Sequence, residues 1–159
     1  MFYFKTDEYE LDLMINFDQF TSVVNDNNLD YESLLPLYYH FDFNKIPFEC
    51  QILSRDDDNS YIVNLTAKLG FLPYSSENRQ KRQKILKNFQ NLMQHRLIIM
   101  DHHCNMTFPI ETSITGQLNA KIMMEAIVYT LLDVEDILSI ITNTLENPTA
   151  ENKKHSASL

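Results

Sequence analysis

Apolar side chains recur along this chain in two periods, and the changes of period mark its predicted elements. Phe17, Phe20, Thr21 and Val24 fall at i, i+3, i+4 and i+7, which predicts a short amphipathic helix over residues 16–24. The polar run 25–28 ends it, because Asn and Asp side chains compete for the backbone and favour turns. Residues 30–43 are apolar but contain Pro36, which removes a donor and clashes inside a helix. They read as a helical turn followed by a loop. A period of two then sets in. Phe48, Cys50 and Ile52 alternate with Glu49 and Gln51, and Tyr61, Val63, Leu65, Ala67 and Leu69 alternate with Ile62, Asn64, Thr66 and Lys68. With the turn-forming residues 56–59 between them, they predict an antiparallel hairpin with one buried face, ended by Gly70 and Pro73.

The helical period returns at Ile85, Leu86, Phe89, Leu92 and Met93. Ser75 or Ser76 is the expected cap, and Glu77 sits in the first turn, where the helix dipole favours an acid. Residues 97–100 and then Cys104, Met106, Phe108 and Ile110 predict a second hairpin, turning near residues 101–103. Pro109 lacks a donor, so its strand is expected to be an edge or to carry a bulge. From Ile122 to Leu145 the helical spacing holds, and Asp133, Glu135 and Asp136 allow either one long helix or two abutting ones. The expected fold is α+β: an antiparallel sheet packed by helices, in the order helix, hairpin, helix, hairpin, long helix. Residues 1–146 read as one domain, with 1–46 an N-terminal extension and first helix and 47–146 the core. Residues 147–159 read as a disordered tail.

At 159 residues, the chain is long enough to bury a core without disulfides or metal. Its two glycines, Gly70 and Gly116, exclude the glycine-rich phosphate loops and the GxSxG elbow. Its two cysteines exclude a four-cysteine zinc site. No signal peptide and no membrane span are expected, so the reading is cytoplasmic. The net charge of −9 argues against nucleic acid as a partner. The charge is uneven, because residues 78–96 hold six basic side chains and no acid, leaving −15 on the rest.

The segments LTAKLGFLP, KILKNFQNLMQ, LIIMDHHCNMTFPIETSI and QLNAKIMMEAIVYTLL, in that order, resemble the class I type III secretion chaperones and their YbjN-like relatives. The resemblance covers residues 47–146. It implies a homodimeric, non-enzymatic, cofactor-free protein of the bacterial cytoplasm that holds an extended segment of a client by strand pairing and apolar grooves. The surface it implies here is the edge strand at Met106, Phe108 and Ile110, with the flanks of the 16–24 helix at Phe17, Phe20 and Val24. The alternative is a YbjN-like regulatory adaptor whose basic helix docks an acidic partner through Arg79, Arg82, Lys84 and Lys87.

Three clusters suggest chemistry. Asp101-His102-His103-Cys104 brings metal-ligating side chains together, but neighbours on a strand point to opposite faces and no second ligand pair follows. It reads as a polar hairpin turn. A Cys104–histidine nucleophile lacks an orienting third group and an oxyanion hole, so Cys50 and Cys104 read as small core residues. The acidic run at residues 56–58 lacks the spacing and distal Glu of a calcium loop, and reads as a solvated turn.

Overall fold

The computed structural model describes residues 3–4, 30–55 and 59–146. The predicted helix over 16–24, the acids at 56–58 and the tail 147–159 lie outside the described residues. Within them the chain runs β1 (Tyr3–Phe4), a 3-10 turn (Glu32–Leu34), β2 (Leu37–Phe43), β3 (Ile46–Ser54), β4 (Ser60–Phe71), α1 (Ser75–Gln94), β5 (Ile99–Met100), β6 (Asn105–Thr115), α2 (Ala120–Asp133) and α3 (Glu135–Glu146). The strands form one antiparallel sheet in the order β1-β2-β3-β4-β6-β5, with four long central strands and a two-residue strand at either edge. The α+β class is as the periodicity indicated. No helix among the described residues is long and apolar enough to cross a membrane.

The expected loop after Pro36 is instead β2. Leu37, Tyr39 and Phe41 are buried and alternate with outward Tyr38, His40 and Asp42. Leu35 is already extended, at φ −68° and ψ 142°, and its peptide bond to Pro36 is cis. Pro36 therefore stands before a strand and interrupts nothing. Asn44 and Lys45, at φ 51° and 63°, form a two-residue turn with both φ positive, whose twist matches that of the strands it joins. β2 and β3 then pair in full, and Phe41 stacks on its register partner Phe48 with ring centroids 5.3 Å apart. Part of the expected 1–46 extension thus belongs to the sheet, and the expected first hairpin is a three-stranded meander.

One face of the sheet is buried, lined by Phe48, Cys50, Ile52, Val63, Leu65, Met106 and Phe108 among others. The helices cover that face with Ile85, Phe89 and Leu92 from α1, Met123, Ile127 and Leu131 from α2, and Leu138 and Ile141 from α3, all in one contiguous cluster. Tyr39 Oη donates to Met123 Sδ at 3.7 Å, which fixes α2 over β2. Asn88 Nδ2 donates to Thr144 Oγ1 at 3.4 Å between α1 and α3. Tyr61 Oη donates to Glu32 at 2.6 Å and pins the 3-10 turn; that bond, ahead of burial, pushes the Tyr61 hydroxyl up to about 12.

The start of α1 differs from the expected serine cap. Asn78 is non-helical, at φ −153° and ψ 85°, and its Oδ1 accepts the Lys81 N–H at 2.9 Å. Glu77 reaches back to the Tyr74 N–H at 3.3 Å. Asn78 therefore caps the body of the helix. Of the two options for the last element, the structure takes two helices, broken at Val134.

Candidate functional site: the open edge of the sheet

β6 pairs with β4 over its whole length, but β5 covers only Met106 and Thr107 on the other side. No strand among the described residues covers residues 109–115 there. Each residue of an antiparallel strand turns its N–H and C=O to the same side, and successive residues alternate. Two bonds fix the alternation in β6. Asp101 N–H donates to Asn105 O at 3.0 Å, so Asn105 faces β5. Gly116 N–H donates to Asn59 O at 2.8 Å, so Gly116 faces β4. With the register continuous between them, residues 108, 110, 112 and 114 bond to β4, and 109, 111, 113 and 115 face the open side.

Pro109 therefore turns its missing donor to the open side, where it costs β6 no ladder bond. It also stops a strand from continuing past β5, which accounts for the two-residue length of β5. The edge expected from Pro109 is present, and the bulge lies on the neighbouring strand. There the pairing steps from Lys68–Thr107 to Gly70–Met106 and leaves Leu69 unpaired. Gly70 takes φ 80°, a conformation that side chains disfavour. The donors on the open side are the Glu111, Ser113 and Thr115 N–H groups.

Met106 and Phe108 are 1% and 2% exposed and point into the core, and Ile110 is half-buried against it. Those side chains hold the strand in place; what it presents outward is backbone. Phe17, Phe20 and Val24 lie outside the described residues. Pattern reading missed two exposed apolar side chains beside this edge, Phe71 and Ile99. The bulge at Leu69 shifts the phase of β4, so Phe71, opposite Asn105, stands on the same outer face as Ile99, opposite Thr107. A glycine near a strand end was the available signal for that shift. The rest of the outer face carries polar pairs, with Lys68–Glu49 at 2.8 Å and Gln51 Nε2 on Tyr38 Oη at 3.0 Å.

The basic patch sits on α1. Arg79 and Lys87 are exposed, while Arg82 and Lys84 are half-buried. Arg82 Nη1 donates to Pro73 O at 3.0 Å, a structural role. Lys87 lines a shallow hollow of about 490 Å³ with Leu86, Gln90, Met93 and Gln94.

The Asp101–Cys104 segment is a hairpin turn organised by its aspartate. The Asp101 carboxylate accepts the His103 N–H at 2.8 Å, the Asn105 N–H at 2.9 Å and Asn105 Nδ2 at 2.9 Å. The Asn105 side-chain and backbone bonds are the main reason its pKa is held below the ordinary carboxylate value. His102 and His103 lie ring against ring, 3.9 Å between centroids. Cys104, at φ 63°, donates its N–H to Asp101 O, and its C=O accepts from Leu72. Among the described residues no group of three or more His, Cys, Asp or Glu side chains converges to hold a metal. No family model, no curated protein and no solved structure matches the chain.

Proposed function

We propose that this chain is a non-enzymatic protein-binding module of the secretion-chaperone kind, acting as a cytoplasmic homodimer that holds an extended segment of a client protein. The observation that carries the reading is the stretch of β6 after Pro109, residues 110–115, whose outer backbone no described strand covers. An extended segment laid there satisfies its own backbone by strand addition, and Phe71 and Ile99 supply apolar contact at the β5 end. What supports the family reading is the element order over residues 47–146: two strands, helix, two strands, helices. A second reading, an adaptor docking an acidic partner on α1, is favoured by the hollow beside Lys87.

Affinity purification of the tagged protein from its host, with mass spectrometry of what copurifies, tests both. Under the first reading one client dominates, is lost when its N-terminal segment is deleted, and is recovered in reduced yield with Ser113→Pro. Under the second the client survives that deletion and is lost with Arg79→Glu and Lys87→Glu. Light scattering should give twice the 18.7 kDa chain mass, and a monomer would remove the dimer from the proposal.

A further inference from the structure

The outward side of α2 carries an apolar stripe that no described element covers. Val128, Tyr129 and Leu132 are 45%, 65% and 53% exposed and, at i, i+1 and i+4, share one flank of the helix. On the opposite flank Met123, Ile127 and Leu131 fill the core, so α2 is apolar on both sides. A helix needs only one such stripe to pack on its own sheet. The surroundings of the second stripe are acidic. Between residues 122 and 146 there are five acids (Glu125, Asp133, Glu135, Asp136, Glu146) and no basic side chain. Glu146 is paired to Lys45, and Glu125 lies 3.8 Å from Lys121. Asp133, next to Leu132 at the end of α2, and Asp136, in the first turn of α3, are both exposed.

We infer that this stripe is the docking site for a basic amphipathic helix of a partner protein. The backbone of α2 is internally bonded and offers no strand pairing, so a segment that buries apolar side chains on it must satisfy its own backbone, as a helix does. The charge specifies which helix: lysines or arginines flanking the apolar face would meet the acids beyond the stripe. It also argues against occupants from this chain. Residues 1–29 hold one lysine against six acids, the wrong sign for the site. Residues 147–159 carry a slight positive charge but too few apolar side chains to fill it. The basic helix α1 of a second copy has Ile85, Phe89 and Leu92 committed to its own core.

The test titrates the 15N-labelled full chain with a leucine–lysine amphipathic helical peptide of about four turns. A leucine–glutamate peptide of the same pattern is the control. Amide shifts confined to α2 around Val128, Tyr129 and Leu132 are expected with the lysine peptide and absent with the glutamate one. The Tyr129→Ser/Leu132→Ser variant alters exposed side chains only, and a circular dichroism spectrum checks that it stays folded. It should bind the lysine peptide at least about tenfold more weakly. Three results would each overturn the inference: equal binding by the variant, which is charge attraction alone; equal binding of both peptides; or concentration-dependent self-association of the free chain that the variant abolishes, which gives the stripe to a second copy.

Discussion

Two proline substitutions one residue apart in β6 should differ sharply in cost. Thr112 faces Val63 of β4 in a hydrogen-bonded pair, and Val63 is fully buried. Thr112→Pro deletes a ladder donor and leaves a buried carbonyl unsatisfied, at about 1–3 kcal/mol. The ring must also occupy the space of the lost N–H···O contact, which brings the total to roughly 3 kcal/mol or more. Ser113 is exposed, and its N–H points to the open side. Ser113→Pro therefore loses no internal bond, as Pro109 shows four residues earlier in the same phase, and should cost about 1 kcal/mol or less. Urea unfolding followed by far-ultraviolet circular dichroism measures both, since the chain has no tryptophan to report. Thr112→Ala corrects for the lost side chain. At a urea slope of about 1–3 kcal/mol per molar, a 2 kcal/mol gap separates the midpoints by roughly 1 M. Equal costs, or the reverse order, would mean that the backbone phase of β6 is misassigned and that the open edge presents different residues.

Phe108→Ala should destabilise the fold by about 3–5 kcal/mol, because the ring is fully buried opposite Ala67; a loss below about 1 kcal/mol would place it at the surface instead. Asn78→Ala should cost about 1 kcal/mol as the loss of a cap, while Ser75→Ala and Ser76→Ala should change the urea midpoint little; the reverse ranking would return the cap to the serines. Burial pushes the Cys50 thiol from 9.0 up to about 12. The unfolded chain therefore ionises first, binds fewer protons above about pH 9, and stability falls as pH rises from there, having been fully present below. In Cys50→Ala that fall should begin only where the tyrosines titrate, about one pH unit higher; an unchanged urea profile between about pH 8.5 and 10 would show that Cys50 is not the source.

Much of the fold was legible because burial on this sheet follows strict alternation. β3 and β4 show the period of two that their sequences carry, and α1 buries Ile85, Phe89 and Leu92 as its spacing required. β2 was hidden by two local features. Pro36 looks like a break but precedes the strand, and the β2–β3 turn is Asn44-Lys45 where a glycine in second place would have announced a hairpin. With only two glycines in the chain, Asn44, Lys45, Asn59, Arg96 and Cys104 all take positive φ, so its tight turns lack their usual signature. The candidate site was half legible. Pro109 did signal an edge, but the same alternation that identified the strand assigns Met106 and Phe108 to the core. Which backbone groups are free depends on the neighbours of β6. Its long pairing is with β4, across the intervening α1 and β5, and no local pattern records that.

That arrangement also bears on how an open edge survives in a protein that must not aggregate through it. An unpaired strand attracts any other unpaired strand, and edges are blunted by shortness, by proline or by charge. Here all three coincide. The stretch that no described strand covers runs only from 109 to 115, Pro109 withholds a donor at one end, and exposed Glu111 sets a charge within it. Among the described residues only three donors of this stretch lack a strand partner, at Glu111, Ser113 and Thr115, and each hydrogen bond nets roughly 1 kcal/mol against water. Strand pairing of that extent is too weak to hold a partner alone, because ordering an extended chain costs about 1–2 kcal/mol per residue. A client held at this edge must therefore draw most of its affinity from side chains. Selectivity then resides in what lies beside the edge, including Phe71 and Ile99, while the backbone sets only register and direction.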